Sequence, residues 1–355
     1  MFFGTFMLFL EVQIMKTKLI KTLVFTGISL IVVGGFASTI TYPKAQKLST
    51  LNLKKDIPVN GNKTVIVSGD SLNIQVLESA DQQVHVEING KSPVANKFEI
   101  KTTERDNELK IDLKEPATNR QKVRLFFDFE TKNATVYLPK NIKNTEINTK
   151  FGTISTESFN GDSLTVKSNA GDINLTNLKT KTLNAVNNFG TISLANSVIE
   201  DTKLKTNAGE ISLSRLIGKT TTIDASAGDV SLNQVTGKIS AKTNAGGIDL
   251  ANKKIDQVLD FQTNFGDISI ETATLPTDAV IQSYLDLGDL TIFGKNEPNA
   301  RFGEGKNQIK LKTNAGDIQV EQEQDSDDST MNDMHDSNHM DDMDMDHMMD
   351  SDKDF

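Results

Sequence analysis

The residues of this 355-residue chain best suited to chemistry crowd its C-terminal end. Met331, Met334, His335, His339, Met340, Met343, Met345, His347, Met348 and Met349 hold most of the 10 methionines and 4 histidines in the sequence. Thioether sulfur favours soft ions such as Cu(I) or Ag(I), and imidazole favours copper or zinc. The adjacent pairs Met334-His335, His339-Met340 and His347-Met348 offer mixed ligands on a short flexible chain. One expectation is therefore a segment that binds copper or another soft metal. The other is a solvated acidic tail whose methionines are incidental. Residues 321–355 carry 14 Asp or Glu and one Lys, against 48 acidic and 38 basic residues in the whole chain, so the body before the tail is close to neutral. Such a segment lacks the apolar content to fold and is expected to stay disordered.

Catalytic signals are absent from the rest. His85, the remaining histidine, lies between Val84 and Val86 in an alternating run and reads as the outward residue of a strand. No Gly-x-Ser-x-Gly or phosphate-cradling loop occurs, and the acids are scattered among Thr, Ser and Asn. The expectation is a non-enzyme that needs no cofactor beyond such a metal. A near-neutral body with no Trp and 3 Tyr argues against a nucleic-acid partner. The absence of cysteine removes disulfides, thiolate chemistry and a lipid anchor on cysteine.

Residues 1–40 read as a targeting segment. Lys16, Lys18 and Lys21 precede an apolar stretch from Leu23 to Ile40, the order of a signal peptide or an uncleaved membrane anchor. Gly35-Phe36-Ala37 is a small-x-small step suited to cleavage, and Met15 is a better start than Met1. Either form places the remainder outside the cytoplasm. Export without disulfides suits a bacterial envelope.

The body is organised by a repeated phrase. It reads Ser-Asn-Ala-Gly-Asp-Ile-Asn-Leu at Ser168–Leu175 and Asn-Asn-Phe-Gly-Thr-Ile-Ser-Leu at Asn187–Leu194. Its central glycines are Gly152, Gly171, Gly190, Gly209, Gly228, Gly246, Gly266, Gly288 and Gly316, at intervals of 19, 19, 19, 19, 18, 20, 22 and 28 residues. A fixed period means one unit laid down repeatedly against its neighbours. After each glycine apolar and polar residues alternate, as in Ile192 and Leu194 or Ile211 and Leu213. A corner residue follows, read as Phe159, Leu178, Val198, Leu216 or Val235, and then a second alternating run. Each unit is thus strand, corner, strand, turn. Asn169, Asn188, Asn207, Asn244, Asn264 and Asn314 share one place in the repeat and read as a structural amide ladder. The acids after the glycine (Asp172, Asp229, Asp267, Asp289, Asp317) hint at calcium, but Thr153, Thr191, Glu210 and Gly247 replace them elsewhere. Residues 44–145 lack the period but keep the alternation, for example at Val123–Phe129 and Ala134–Leu138, and read as an irregular β cap.

The Asn-Ala-Gly-Asp-Ile-x-Leu repeats, with Val136-Tyr137-Leu138-Pro139 ahead of them, resemble the putative-adhesin (toastrack-type) β-strand repeat family of bacterial cell-envelope proteins. The resemblance spans roughly residues 60–320. It implies a single-stranded β-solenoid, often membrane-tethered and sometimes associated with envelope-stress systems, and supplies no catalytic residues.

The expected architecture is all-β. It has a membrane segment (1–40), a β cap (44–145), a right-handed β-helix-like solenoid of 19-residue coils (146–320) and a disordered tail (321–355). The expected function is an envelope contact platform of a Gram-positive surface, in stress sensing or adhesion. Its Thr/Ser/Asn/Lys-rich outer faces would meet an envelope protein or glycan, and its N-terminal segment the membrane. A metal-handling surface protein is the alternative, and a carbohydrate-active β-helix enzyme the third.

Overall fold

A computed structural model describes residues 49–61, 63–92, 95–115 and 132–323. The targeting stretch up to Ile40, the run Val123–Phe129 and every methionine and histidine of the tail lie outside the described residues. Among the described residues the regular elements are strands, joined by short turns and loops, save one short 3-10 turn at Ala95–Lys97, and no helix is long and apolar enough to cross a membrane.

The coil is clearest where it is most regular. Ile192–Ala208 lies parallel to Ile211–Ala227, with Ile192 beside Ile211, Leu204 beside Ile223 and Ala208 beside Ala227. Every partner is 19 residues away, so the repeat length of the sequence is the circumference of one layer. Each layer has three walls. One runs from Ile192 to Ala195, a narrow middle one from Ser197 to Ile199, and a long one from Asp201 to Ala208. The first corner is turned by a residue with left-handed backbone, at Asn177, Asn196, Arg215 and Gln234 (φ 51 to 55°). The second falls at Glu200, where the pairing skips a residue between the middle and long walls, and the third is the glycine turn.

Period-two alternation then sorts the side chains without further instruction. Ile173, Ile192, Ile211, Val230, Ile248 and Ile268 stack in one inward column, each fully shielded. Burying such a side chain stabilises by about 1.5–3 kcal/mol. No layer can hide its own column, so stability grows by stacking. The corner column differs from the sequence reading at one layer. Ser197, not Val198, takes the inward place beneath Leu216, and Val198 is 51% exposed. Ser197 is tolerated there because its hydroxyl accepts from the Leu178 N–H (3.1 Å) and donates to the Ala195 carbonyl (2.7 Å).

Both ends depart from the simple coil. Thr64–Ser71 and Asn73–Glu78 form a layer ahead of the 19-residue period, parallel to Asn144–Phe151 and Ile154–Thr156. Beyond them Ser49–Pro58, Gln83–Ser92 and Glu99–Arg105 pair antiparallel and close that end. At the far end, layer order departs from sequence order. Asn307–Ala315 lies between Leu259–Phe265 and Ala279–Leu287, so the last coil slots between the two before it. The 28-residue interval between Gly288 and Gly316 gives the chain the length to double back past one layer. Asn299–Phe302 covers Ala279–Gln282 antiparallel, and Phe293 and Phe302 meet edge to face (5.5 Å, 82°) over the end of the core.

The glycine turn admits no side chain. At Gly209 (φ 144°) a Cβ would stand 2.1 Å from the carbonyl oxygen of Gly190 in the layer below. Gly209→Ala is expected to cost on the order of 2–3 kcal/mol, through forbidden φ and direct overlap together. Urea or thermal denaturation of the variant checks this, and a melt identical to wild type would contradict the stacking.

Candidate functional site

The glycine turns line up along one edge of the stack, and the residues around them form four parallel rows. The first is buried. Three places before the glycine, Thr149, Asn187, Thr243, Thr263 and Thr313 each donate to a carbonyl of the adjoining layer, while Ser168 and Thr206 fill the same place with buried hydroxyls that have no partner among the described residues. For Thr263 the acceptor is Gly246 O (3.0 Å), and for Thr313 it is Gly266 O (3.0 Å). The second row is the amide ladder expected from the sequence. Asn188 donates to Asn169 (2.7 Å), Asn207 to Asn188 (2.9 Å), Asn264 to Asn244 (2.7 Å) and Asn314 to Asn264 (3.1 Å).

The third row explains the acids after the glycine. The Asp172 carboxylate accepts the Thr191 N–H (2.9 Å), Asp229 that of Gly247 (2.8 Å), and Asp267 that of Asp317 (2.8 Å). Each carboxylate satisfies the turn of the next layer, so a structural role accounts for the residue type without a cation. Among the described residues no group of three or more His, Asp or Glu could hold a metal ion.

The fourth row faces outward. Immediately before the glycine stand, in layer order, Phe151, Ala170, Phe189, Ala208, Ala227, Ala245, Phe265, Ala315 and Leu287, and Ser71 holds the same place ahead of Leu72 in the layer beside Phe151. Phe189, Phe265 and Leu287 are 58, 64 and 72% exposed. All the apolar members of this ridge could have been seen in the sequence as the residue ahead of each repeat glycine. They were hidden because alternation invites attention to the inward positions only.

The wall that follows the turn carries a different outward row: Ser155, Asn174, Ser193, Ser212, Ser231, Asp249 and Ser269. The serine side chains are half-buried, and their hydroxyls form no hydrogen bond within the described fold. Asp249 interrupts the row. Burial pushes its carboxyl above the usual range, and the nearby Asp229, Asp267 and Glu271 push it further.

The capping end holds a charge cluster that sequence reading missed. His85 Nδ1 lies 2.7 Å from Asp56 Oδ1 and Nε2 lies 3.0 Å from Asp81 Oδ1. Its ring meets Tyr137 edge-on at 6.5 Å. Asp56 faces His85 across the antiparallel pair, while Asp81 sits in the turn four residues earlier. The hydrogen bond to Asp56, followed by that to Asp81, raises the imidazole above its ordinary value of 6.5. Asp81 is held below the usual carboxylate range, first by the Gln83 N–H and then by His85. The cluster is on the surface, and the pocket between Val76, Leu138, Ile142 and Phe159 has a volume of about 20 Å³, room for one water molecule. Neither arrangement forms a substrate cleft.

Because the folded imidazole titrates above the unfolded one, its contribution is full below the unfolded value and disappears as pH rises through the folded value. His85→Gln should therefore lower the melting temperature more at about pH 6 than at about pH 8.5. Paired thermal melts of wild type and variant read this directly. An equal gap at both pH values would contradict a doubly bonded imidazolium.

The chain is similar in structure to a putative adhesin from Parabacteroides distasonis, at 14% identity over 77% of this chain and 97% of that one, with a TM-score of 0.48. It is similar to a putative adhesin from Parabacteroides merdae, at 10% identity over 76% and 96%, with a TM-score of 0.47. A putative lipid binding protein from Parabacteroides distasonis matches at 12% identity over 76% and 97%, with a TM-score of 0.46. No curated protein matches the chain. The sequence model of the Toastrack DUF4097 family matches residues 62–321, from the first layer to the last strand, and the chain belongs to that family.

Proposed function

We propose that this chain is a non-catalytic contact platform, exported to the cell surface and held at the membrane by its Leu23–Ile40 segment. It serves adhesion or envelope-stress sensing in a Gram-positive envelope. The observation that carries the reading is the outward row of Ser155, Asn174, Ser193, Ser212 and Ser231, whose serine hydroxyls have no partner within the fold. They repeat at the strand spacing of about 4.8 Å on a rigid wall. A regular row of hydroxyls and amides suits an extended, hydroxyl-rich polymer such as an envelope glycan, bound through many weak hydrogen bonds and not through one deep pocket.

A second reading rests on the Met/His composition of the tail. In it, Met331, Met334, His335, His339, Met340, Met343, Met345, His347, Met348 and Met349 capture a soft metal, and the stack serves as a spacer. Thioether and imidazole ligands select copper or silver over hard cations.

Two measurements separate the readings. Replacing Ser193, Ser212 and Ser231 by Ala removes three hydrogen bonds worth about 0.5–1.5 kcal/mol each, so affinity for purified cell-wall glycan should fall by about tenfold or more. Unchanged co-sedimentation with the glycan would remove the platform reading at this face. Titration of the full chain with Cu(I), beside a chain lacking residues 325–355, tests the tail. Equal affinity in the two would end the metal reading.

A further inference from the structure

The ridge in front of the glycines has a size pattern that is too ordered to leave aside. In layer order its bulky members are Phe151, Phe189, Phe265 and Leu287, and every other member is Ala or Ser. Large and small places are arranged symmetrically about Ala227, so the row from Phe151 to Leu287 reads the same in both directions.

We propose that this ridge is a self-association surface whose occupant is a second copy of the chain. The copy lies antiparallel, about a two-fold axis passing between the Ala208 and Ala227 layers. In that register Phe151 rests on the partner's Ala315, Phe189 on the partner's Ala245 and Phe265 on the partner's Ala170. Leu287 rests on the partner's Ser71, and Ala208 meets the partner's Ala227. Every bulky side chain meets a small one, and all ten ridge positions are engaged. Other registers are worse. A parallel copy sets Phe on Phe throughout. An axis through Ala227 sets Phe189 on Phe265 and Phe151 on Leu287. An axis one half-step further, between Ala227 and Ala245, restores large on small but leaves Ser71 and Phe151 beyond the partner's end.

The flanks support the same occupant. An antiparallel face-to-face pair brings the amide ladder against itself, with Asn188 beside the partner's Asn244. Within its own chain each interior ladder amide uses one N–H and one lone pair, as Asn188 does between Asn169 and Asn207, and retains one of each for a neighbour. On the other flank Asp172 faces the partner's Asp267 and Glu210 the partner's Asp229. These like charges oppose pairing, so association strengthens as added salt screens them. Nine steps of about 4.8 Å make a strip about 43 Å long. Confined to one narrow edge, it falls short of the roughly 800 Å² per partner of a standard interface, which places the pair among weak and reversible dimers. The surface is distinct from the serine wall, so the two proposals stand or fall separately.

The chain has no cysteine, which makes site-directed cross-linking clean. The full chain, solubilised in a mild non-denaturing detergent, is prepared as Ala208→Cys and as Ala227→Cys. Mixed together under oxidation, they should form the mixed disulfide about tenfold faster than either forms its own dimer. Fastest self-linking of Ala227→Cys alone, or no excess of the mixed product, overturns the proposal. Sedimentation equilibrium should show a concentration-dependent dimer that tightens with salt. Phe189→Asp should weaken it by about tenfold or more, with an unchanged thermal melt because the side chain faces outward. A wild-type chain that remains monomeric, or a dimer indifferent to Phe189→Asp, overturns it. So does a monomer whose Phe189 is instead needed for binding to lipid vesicles.

Discussion

The structure depends on one close approach. From Gly171 onward the glycine backbone at each repeat turn lies against a glycine carbonyl of the adjoining layer, so near that a Cβ at Gly171, Gly209 or Gly266 would fall 2.4, 2.1 or 2.2 Å from that oxygen. Two requirements coincide there, a positive φ and an absent side chain, and only glycine meets both. Once the glycines must lie on one another, the walls between them must keep register, because a one-residue slip within a wall would turn its inward Ile and Leu outward. The 18- and 20-residue layers take up their difference at the corners, so Val230, Ile248 and Ile268 remain buried in one column. The near-constant period is the imprint of this contact on the sequence.

Most of the polar residues that look functional in the repeat are engaged by the same constraint. A tight stack of turns leaves carbonyls and N–H groups facing the adjoining layer, and burying them unpaired is costly. Thr263 and Thr313 serve the carbonyls, Asp172 and Asp229 serve the N–H groups, and the asparagines serve one another. The carboxylate row that resembles a cation site is therefore a set of backbone caps. What remains for recognition is what the stacking does not use: the outward serine hydroxyls and the apolar row in front of the glycines.

These facts also decide how much could be read beforehand. Strand, corner, strand and turn were legible because alternation and glycine spacing are local signals, and the inward assignment of Ile173, Ile192 and Ile211 follows from them. The corner at Ser197 was not. An apolar neighbour, Val198, sits one place away, and only the hydrogen bonds of Ser197 to Leu178 and Ala195 make the serine acceptable inside. The His85 cluster was equally hidden. Its partners Asp56 and Asp81 come from another strand and from a turn, and nothing in an alternating run records which carboxylate will face an outward histidine. The order of the final layers was invisible for a related reason: spacing reports how far the chain runs before it returns, not on which side of an earlier layer it returns.

That last departure bears on how the stack is completed. A strictly sequential coil can be laid down one turn at a time from its N-terminal end. Here Ala279–Leu287 has its parallel neighbour in Asn307–Ala315, which is translated later. The segment around Gly288 must therefore wait, unanchored on that side, until the C-terminal coil arrives and is threaded between it and Leu259–Phe265. A chain ending before Asn307 would leave both Leu259–Phe265 and Ala279–Leu287 without the strand that joins them. The last repeat is thus the keystone of that end.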